Sequence, residues 1–135
     1  MSYDLAIFDP LVAPRERTKF LEWYDAETEK EEPGDQYNDP PTPALRGWFF
    51  EMIKEFPPMN GPYAPSALTD EVEADYSIGK HLIYVTFVWS AVDRAYEATF
   101  RLAGKHRVGF FDVSSEKASV WLPTSAGQLV LGHSN

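Results

Sequence analysis

Cysteine is absent from all 135 residues, which excludes disulfides, thiolate catalysis and cysteine-ligated metal and fits a reducing compartment. Histidine is scarce. His81, His106 and His133 stand far apart, without H-x-x-x-H or H-E-x-x-H spacing, so no metal site is expected. Long hydrophobic runs are missing as well. The longest, Leu82 to Trp89, is strand-sized, against the roughly 18 residues of a membrane span. The opening Met-Ser-Tyr-Asp-Leu has neither a basic nor an apolar leader region. A soluble, cytoplasmic protein with no membrane partner is expected. The serines form no G-x-S-x-G elbow, and there is neither a phosphate-binding G-x-x-x-x-G-K-[ST] loop nor a G-x-G-x-x-G turn. With no catalytic pattern, a non-enzymatic protein without cofactor is expected. Positive charge is also short: 12 Lys+Arg against 21 Asp+Glu give a net −9, which repels nucleic acid.

Hydrophobic residues make up 44% of the chain and aromatics 15%, which predicts one packed domain over 1–135 rather than disorder. Tyr3 to Phe8 reads as a strand ended by Asp9-Pro10. A helix is predicted from Pro14 to Glu29, with Phe20, Leu21 and Tyr24 inward. Thr42-Pro43 opens a second helix, over 43–56, whose Leu45, Trp48, Phe49, Met52, Ile53 and Phe56 recur at helical spacing. Four prolines and a glycine make 57–65 irregular. Asp75 to Ile78 and Leu82 to Trp89 read as paired strands, the second apolar on both faces and therefore inside a sheet. Ser90 and Asp93 have capping-box spacing before a third helix. Val108 to Val113, Ala118 to Leu122 and a short Gln128 to Leu131 complete the strands. The fold class predicted is an α+β sandwich: a mostly antiparallel sheet of four to five strands, three helices on one face, ferredoxin-like (split βαβ) with an inserted helix and Pro-rich loops. In the alternative arrangement the 43–56 helix covers the second face.

Charge is distributed unevenly. Residues 1–75 hold 17 acids and 6 bases, whereas residues 76–135 hold 4 and 6. From Asp25 to Asp39 there are seven carboxylates and one lysine in fifteen residues. Such a field favours a basic protein surface. The candidate partner-binding set is Asp25, Glu29, Glu31, Glu32, Asp35 and Asp39 for the field, with Tyr37, Phe50, Met59 and Tyr63 as anchors. The plainer reading is a solvated face that keeps the chain soluble. Asp9 and Asp112 each follow an aromatic at a strand end, but lack the second Asp two residues on that a phosphatase-type nucleophile needs. Turn formation explains them. Pro40–Pro43 and Pro62–Pro65 match P-x-x-P; the first is explained as a helix start.

The segments Phe-Pro-Pro-Met-Asn-Gly-Pro-Tyr (56–63), Asp-Tyr-Ser-Ile-Gly (75–79) and Lys-His-Arg-Val-Gly-Phe-Phe-Asp-Val (105–113), with the opening Met-Ser-Tyr-Asp-Leu-Ala-Ile-Phe-Asp-Pro, resemble a family of short acidic bacterial proteins. These are mostly uncharacterised and can occur as immunity partners of secreted toxins. The resemblance implies a class, the immunity proteins, and it transfers no site residues; with the acidic field, the expectation is a cytosolic immunity protein that occludes the basic cleft of a toxin domain. Two alternatives stand beside it. One is a small enzyme or ligand carrier with a pocket lined by Tyr84, His81, Tyr96 or Trp89. The other is a self-associating structural protein.

Overall fold

The computed structural model describes residues 2–29, 41–59 and 74–135. It is an α+β protein built on a six-stranded sheet in which every strand pair is antiparallel. The strands are β1 (Ser2–Phe8), β2 (Ala74–Ile78), β3 (Leu82–Val88), β4 (Gly109–Phe111), β5 (Val120–Pro123) and β6 (Leu129–His133). Their spatial order is β2-β3-β1-β4-β5-β6. The helices are α1 (Arg17–Glu29), α2 (Pro43–Glu55) and α3 (Val92–His106). The sheet therefore has one or two strands more than expected, because the turn at 125–127 lets β6 extend the β4–β5 hairpin. Thr124 N–H donates to the Gln128 carbonyl (2.7 Å) across that turn, which Gly127 closes at φ +78°.

β3 lies inside the sheet, between β2 and β1, as its two apolar faces require. The pleat of β1 sends Leu5 and Ile7 to one side and Ala6 and Phe8 to the other. On the first side Leu5 and Ile7 join Leu45, Trp48 and Met52 of α2 and Ala95, Ala98 and Leu102 of α3. On the second side Ala6 and Phe8 meet Phe20 of α1, with Leu82, Phe111 and Val120. The helices thus occupy both faces, which corrects the expectation of helices on one. It is α1, not α2, that covers the second face. Both helices carry one apolar stripe, and the aromatic seat of Phe8 and Phe111 suits the ring-rich stripe of α1.

The helix ends differ in part from expectation. α1 starts at Arg17 rather than Pro14, because Asp9 folds 9–13 into a turn through bonds to Leu11, Val12 and Ala13 N–H. Glu16 then caps the helix, its carboxylate accepting from Lys19 N–H at 2.8 Å. This bond holds the Glu16 carboxyl below its usual range. Ser90 does not cap α3. Trp89–Ala91 form a turn of 3₁₀ helix, and Ala91 stands at the N-cap without a side-chain bond. The C-terminus of α3 closes with Arg107 in the left-handed region (φ 56°). Arg107 N–H bonds the Gly104 carbonyl and Val108 N–H that of Ala103, the Schellman pattern.

α2 and α3 are also joined by charge. Lys105 Nζ donates to Glu51 Oε1 at 2.7 Å and His106 Nε2 contacts Glu51 Oε2. Arg101 bridges Glu55 and Glu97, each at 3.0 Å. The Lys105 bond, then the His106 bond, hold the Glu51 carboxyl down at about 2. A depressed carboxyl stabilises the fold above its unfolded-state value near 4.5 and loses that contribution as pH falls towards 2. Glu51→Gln is therefore expected to flatten the acid limb of the stability profile across that window and to leave its shape near neutrality unchanged, as read by urea unfolding at stepped pH.

Candidate docking surface on the acidic helix

α1 is fastened by rings. Phe20 packs edge-on against Phe8 (5.1 Å) and Phe111 (5.2 Å), and Tyr24 edge-on against Phe111 (4.9 Å). With residues 20, 23 and 24 held against the sheet, helical geometry turns 22, 25 and 29 outward. Glu22, Asp25 and Glu29 are exposed and form one stripe at i, i+3 and i+7. Among the described residues their carboxylates have no hydrogen bond or ion pair. By contrast, Asp9, Glu51, Glu55 and Glu97 each have an ion-pair partner.

The placement of these acids is unfavourable for the helix itself. α1 has no basic residue in its last turn, where α2 has Lys54 and α3 has Lys105 and His106. Asp25 and Glu29 lie towards the negative end of the helix dipole, where a carboxylate costs about 0.3–1 kcal/mol. The like-charged neighbours at three and four residues cost about 0.2–0.5 kcal/mol per pair. Folding does not require this arrangement.

The other predicted members separate. Glu31, Glu32, Asp35, Tyr37, Asp39 and Tyr63 lie outside the described residues. Phe50 is 38% exposed on α2 and Met59 47% exposed after it. α2 packs on the opposite face of the sheet from α1, so Phe50 is divided by the sheet from Asp25 and Glu29 and does not join their stripe. Met59 N–H bonds the Ala74 carbonyl at the β2 edge.

The residues offered for a pocket, Tyr84, His81, Tyr96 and Trp89, are not brought together on one face. Tyr84 belongs to the α1 side and Tyr96 to the α3 side, and His81 sits 3.6 Å from Asp9. A shallow depression of about 530 Å³ does exist elsewhere, lined by Glu55, Phe56, Asp93, Arg94 and Glu97. Arg94 lies over the Phe56 ring there, and Glu55 and Glu97 are already bound by Arg101. Among the described residues no group of three or more His, Asp or Glu could hold a metal ion.

Sequence reasoning missed one buried acid. Asp112 is 7% exposed and accepts a hydrogen bond from the Tyr3 hydroxyl at 2.7 Å. Antiparallel pairing of β1 with β4 places it at the opposite end from Asp9, as the topology requires. Burial first, then the bond to Asp112, push the Tyr3 phenol well above its usual range; burial and the Asp112 charge also raise Tyr96. A phenol kept neutral in the fold stabilises fully below its unfolded value of about 10, and that contribution is lost as pH rises beyond it. Tyr3→Phe is expected to lose stability less steeply in alkali, measured by thermal unfolding above that pH. The signal available in sequence was only the Phe-Phe-Asp strand end. No helix among the described residues is long and apolar enough to cross a membrane. The chain matches no family model, no curated protein and no solved structure.

Proposed function

We propose that the protein is a non-catalytic binding module that docks a basic protein surface through the exposed stripe Glu22, Asp25 and Glu29. One observation carries this reading: these carboxylates stay unpaired on a helix whose dipole disfavours them, while Glu51, Glu55 and Glu97 are engaged by Lys105, His106 and Arg101. Rim charges of this kind act on encounter rate and partner choice. The acids from Glu31 to Asp39 directly follow α1 in sequence and would extend the same field.

The segment resemblance supports a narrower form of the reading, a cytoplasmic immunity protein that blocks the basic cleft of a toxin domain. The strand order β2-β3-β1-β4, with α3 crossing from β3 to β4, supports reading the core as a ferredoxin-like sandwich elaborated by α1, β5 and β6. The test is to express the gene immediately upstream of the one encoding this chain, alone and together with this protein. A product that arrests growth alone and is harmless in the pair supports the proposal. A product that is harmless alone, such as a metabolic enzyme, contradicts the immunity role.

A further inference from the structure

The two edges of the sheet are treated differently. The β2 edge is engaged at its first residue, Ala74, by residues 57–59. Pro58 forms a parallel bridge with Ala74, Met59 N–H bonds the Ala74 carbonyl (3.0 Å), and Ala74 N–H bonds that of Pro57 (3.1 Å). At the other edge, no described residue pairs with the outer side of β6. The Thr124–Gln128 bond fixes the phase of the β5–β6 ladder. Alternation of bonded and non-bonded pairs then points the N–H and C=O of Leu129 and Leu131 away from β5. Of the protections usual on such an edge, lysine, proline and carboxylate are absent from Leu129–His133, and the one irregularity, a register shift that leaves Gly132 unpaired opposite Val120–Trp121, falls after Leu131. Val130 and Leu131 are 51% and 54% exposed.

The strand is also held rigid at both ends. At its start, the Gly127 carbonyl lies so close to α3 that a Cβ on Gly104 would come within 2.7 Å, and Arg107 donates to the Ser125 carbonyl at 2.9 Å. At its end, the Arg17 guanidinium donates to the Ala118 carbonyl (2.8 Å), to His133 Nδ1 (3.0 Å) and to Asn135 Oδ1 (2.7 Å). An edge fixed in advance binds another strand with a small ordering cost.

We infer that the β6 edge pairs with the β6 edge of a second copy of this chain, in an antiparallel two-fold centred on Val130. This inference is independent of the acidic docking surface. The symmetry is self-complementary: Leu129 of each copy faces Leu131 of the other, so the outward groups of both residues close four backbone hydrogen bonds. The two Val130 side chains then lie side by side across a non-bonded pair. The segment carries no carboxylate, and burial followed by the Arg17 charge lowers the His133 pKa and keeps that ring neutral. Two copies of a chain with net −9 therefore meet through a segment that brings no carboxylate of its own to the contact. A basic heterologous strand has no carboxylate to recognise at this edge.

Sedimentation equilibrium from micromolar to millimolar concentration tests the pairing. The wild-type mass is expected to rise from 15.3 kDa to twice that value and no further. Leu131→Lys is expected to remain at the single-chain mass. Val130→Cys provides a second readout in a chain with no other thiol. It is expected to oxidise to a covalent dimer at least about tenfold faster than a control Asp93→Cys at equal concentration, as for thiols held together. Wild type that stays monomeric at millimolar concentration, a dimer unaffected by Leu131→Lys, assembly beyond two chains, or equal oxidation of the two cysteine variants overturns the inference. Should Leu131→Lys fail to fold, the wild-type mass and the cysteine comparison decide.

Discussion

Gly109→Ala is expected to lower the unfolding free energy by about 1–3 kcal/mol, the usual cost of forcing atoms into a packed core. In a domain of this size that is a fall in midpoint of roughly 3–10 °C. Gly109 stands directly opposite Phe8 in the β1–β4 ladder, and a Cβ there would lie 2.1 Å from Cζ of the Phe8 ring. The ring has nowhere to retreat. Phe8 is fully buried, and Phe20 and Trp23 of α1 pack edge-on against it at 5.1 and 6.1 Å. Displacing it disturbs the seat of the acidic helix as well as the core. Phe8→Leu in the same chain removes the clash, so the double variant is expected to be more stable than the sum of the two single losses implies, by about 0.5–3 kcal/mol. Additive losses, measured by urea unfolding, would show that the Gly109 contact is not what limits this site.

Asp25→Lys with Glu29→Lys is expected to move stability and binding in opposite directions. Each substitution replaces a carboxylate that opposes the dipole of α1 with a charge that favours it. Position 25 also gains an attractive neighbour in Glu22, three residues before it. Together these changes raise stability by about 1–2 kcal/mol, or roughly 3–6 °C in midpoint. The same reversal removes attraction for a basic partner and slows association at low salt by about ten- to a hundredfold. Surface residues whose replacement stabilises the fold while impairing an interaction are retained for the interaction. A plain solvating role predicts the gain in stability without the loss of binding.

Much of this architecture is written in local patterns. β1, β3, α2 and α3 follow from alternation, the two-faced apolar run at Leu82–Val88 and the helical spacing from Leu45 to Phe56. The placement of α1 is not local. Its stripe and that of α2 are both apolar, and only the tertiary arrangement of Phe8, Phe111 and Phe20 assigns α1 to the second face. The cap of α3 escapes a sequence reading because Trp89–Ala91 tighten into a 3₁₀ turn before Ser90 can act. β6 is short and half-exposed, so its pattern is weak until the turn at Gly127 places it beside β5. The surplus of acid is visible in composition, but its division is not. Glu51 is matched with Lys105 across 54 positions, and nothing in the linear order separates that carboxylate from the unpaired ones on α1. Nearness in sequence groups Phe50 with the acids, and the sheet lies between them.

The central claim is that the acidic stripe of α1 acts by attracting a cationic protein surface. Stopped-flow association with the protein encoded immediately upstream, at low and high ionic strength, tests it most directly. Wild type is expected to associate fast, in a manner that salt suppresses, and the Asp25→Lys, Glu29→Lys variant to associate slowly at a rate that salt scarcely changes. Equal rates for the two proteins at low salt would contradict it.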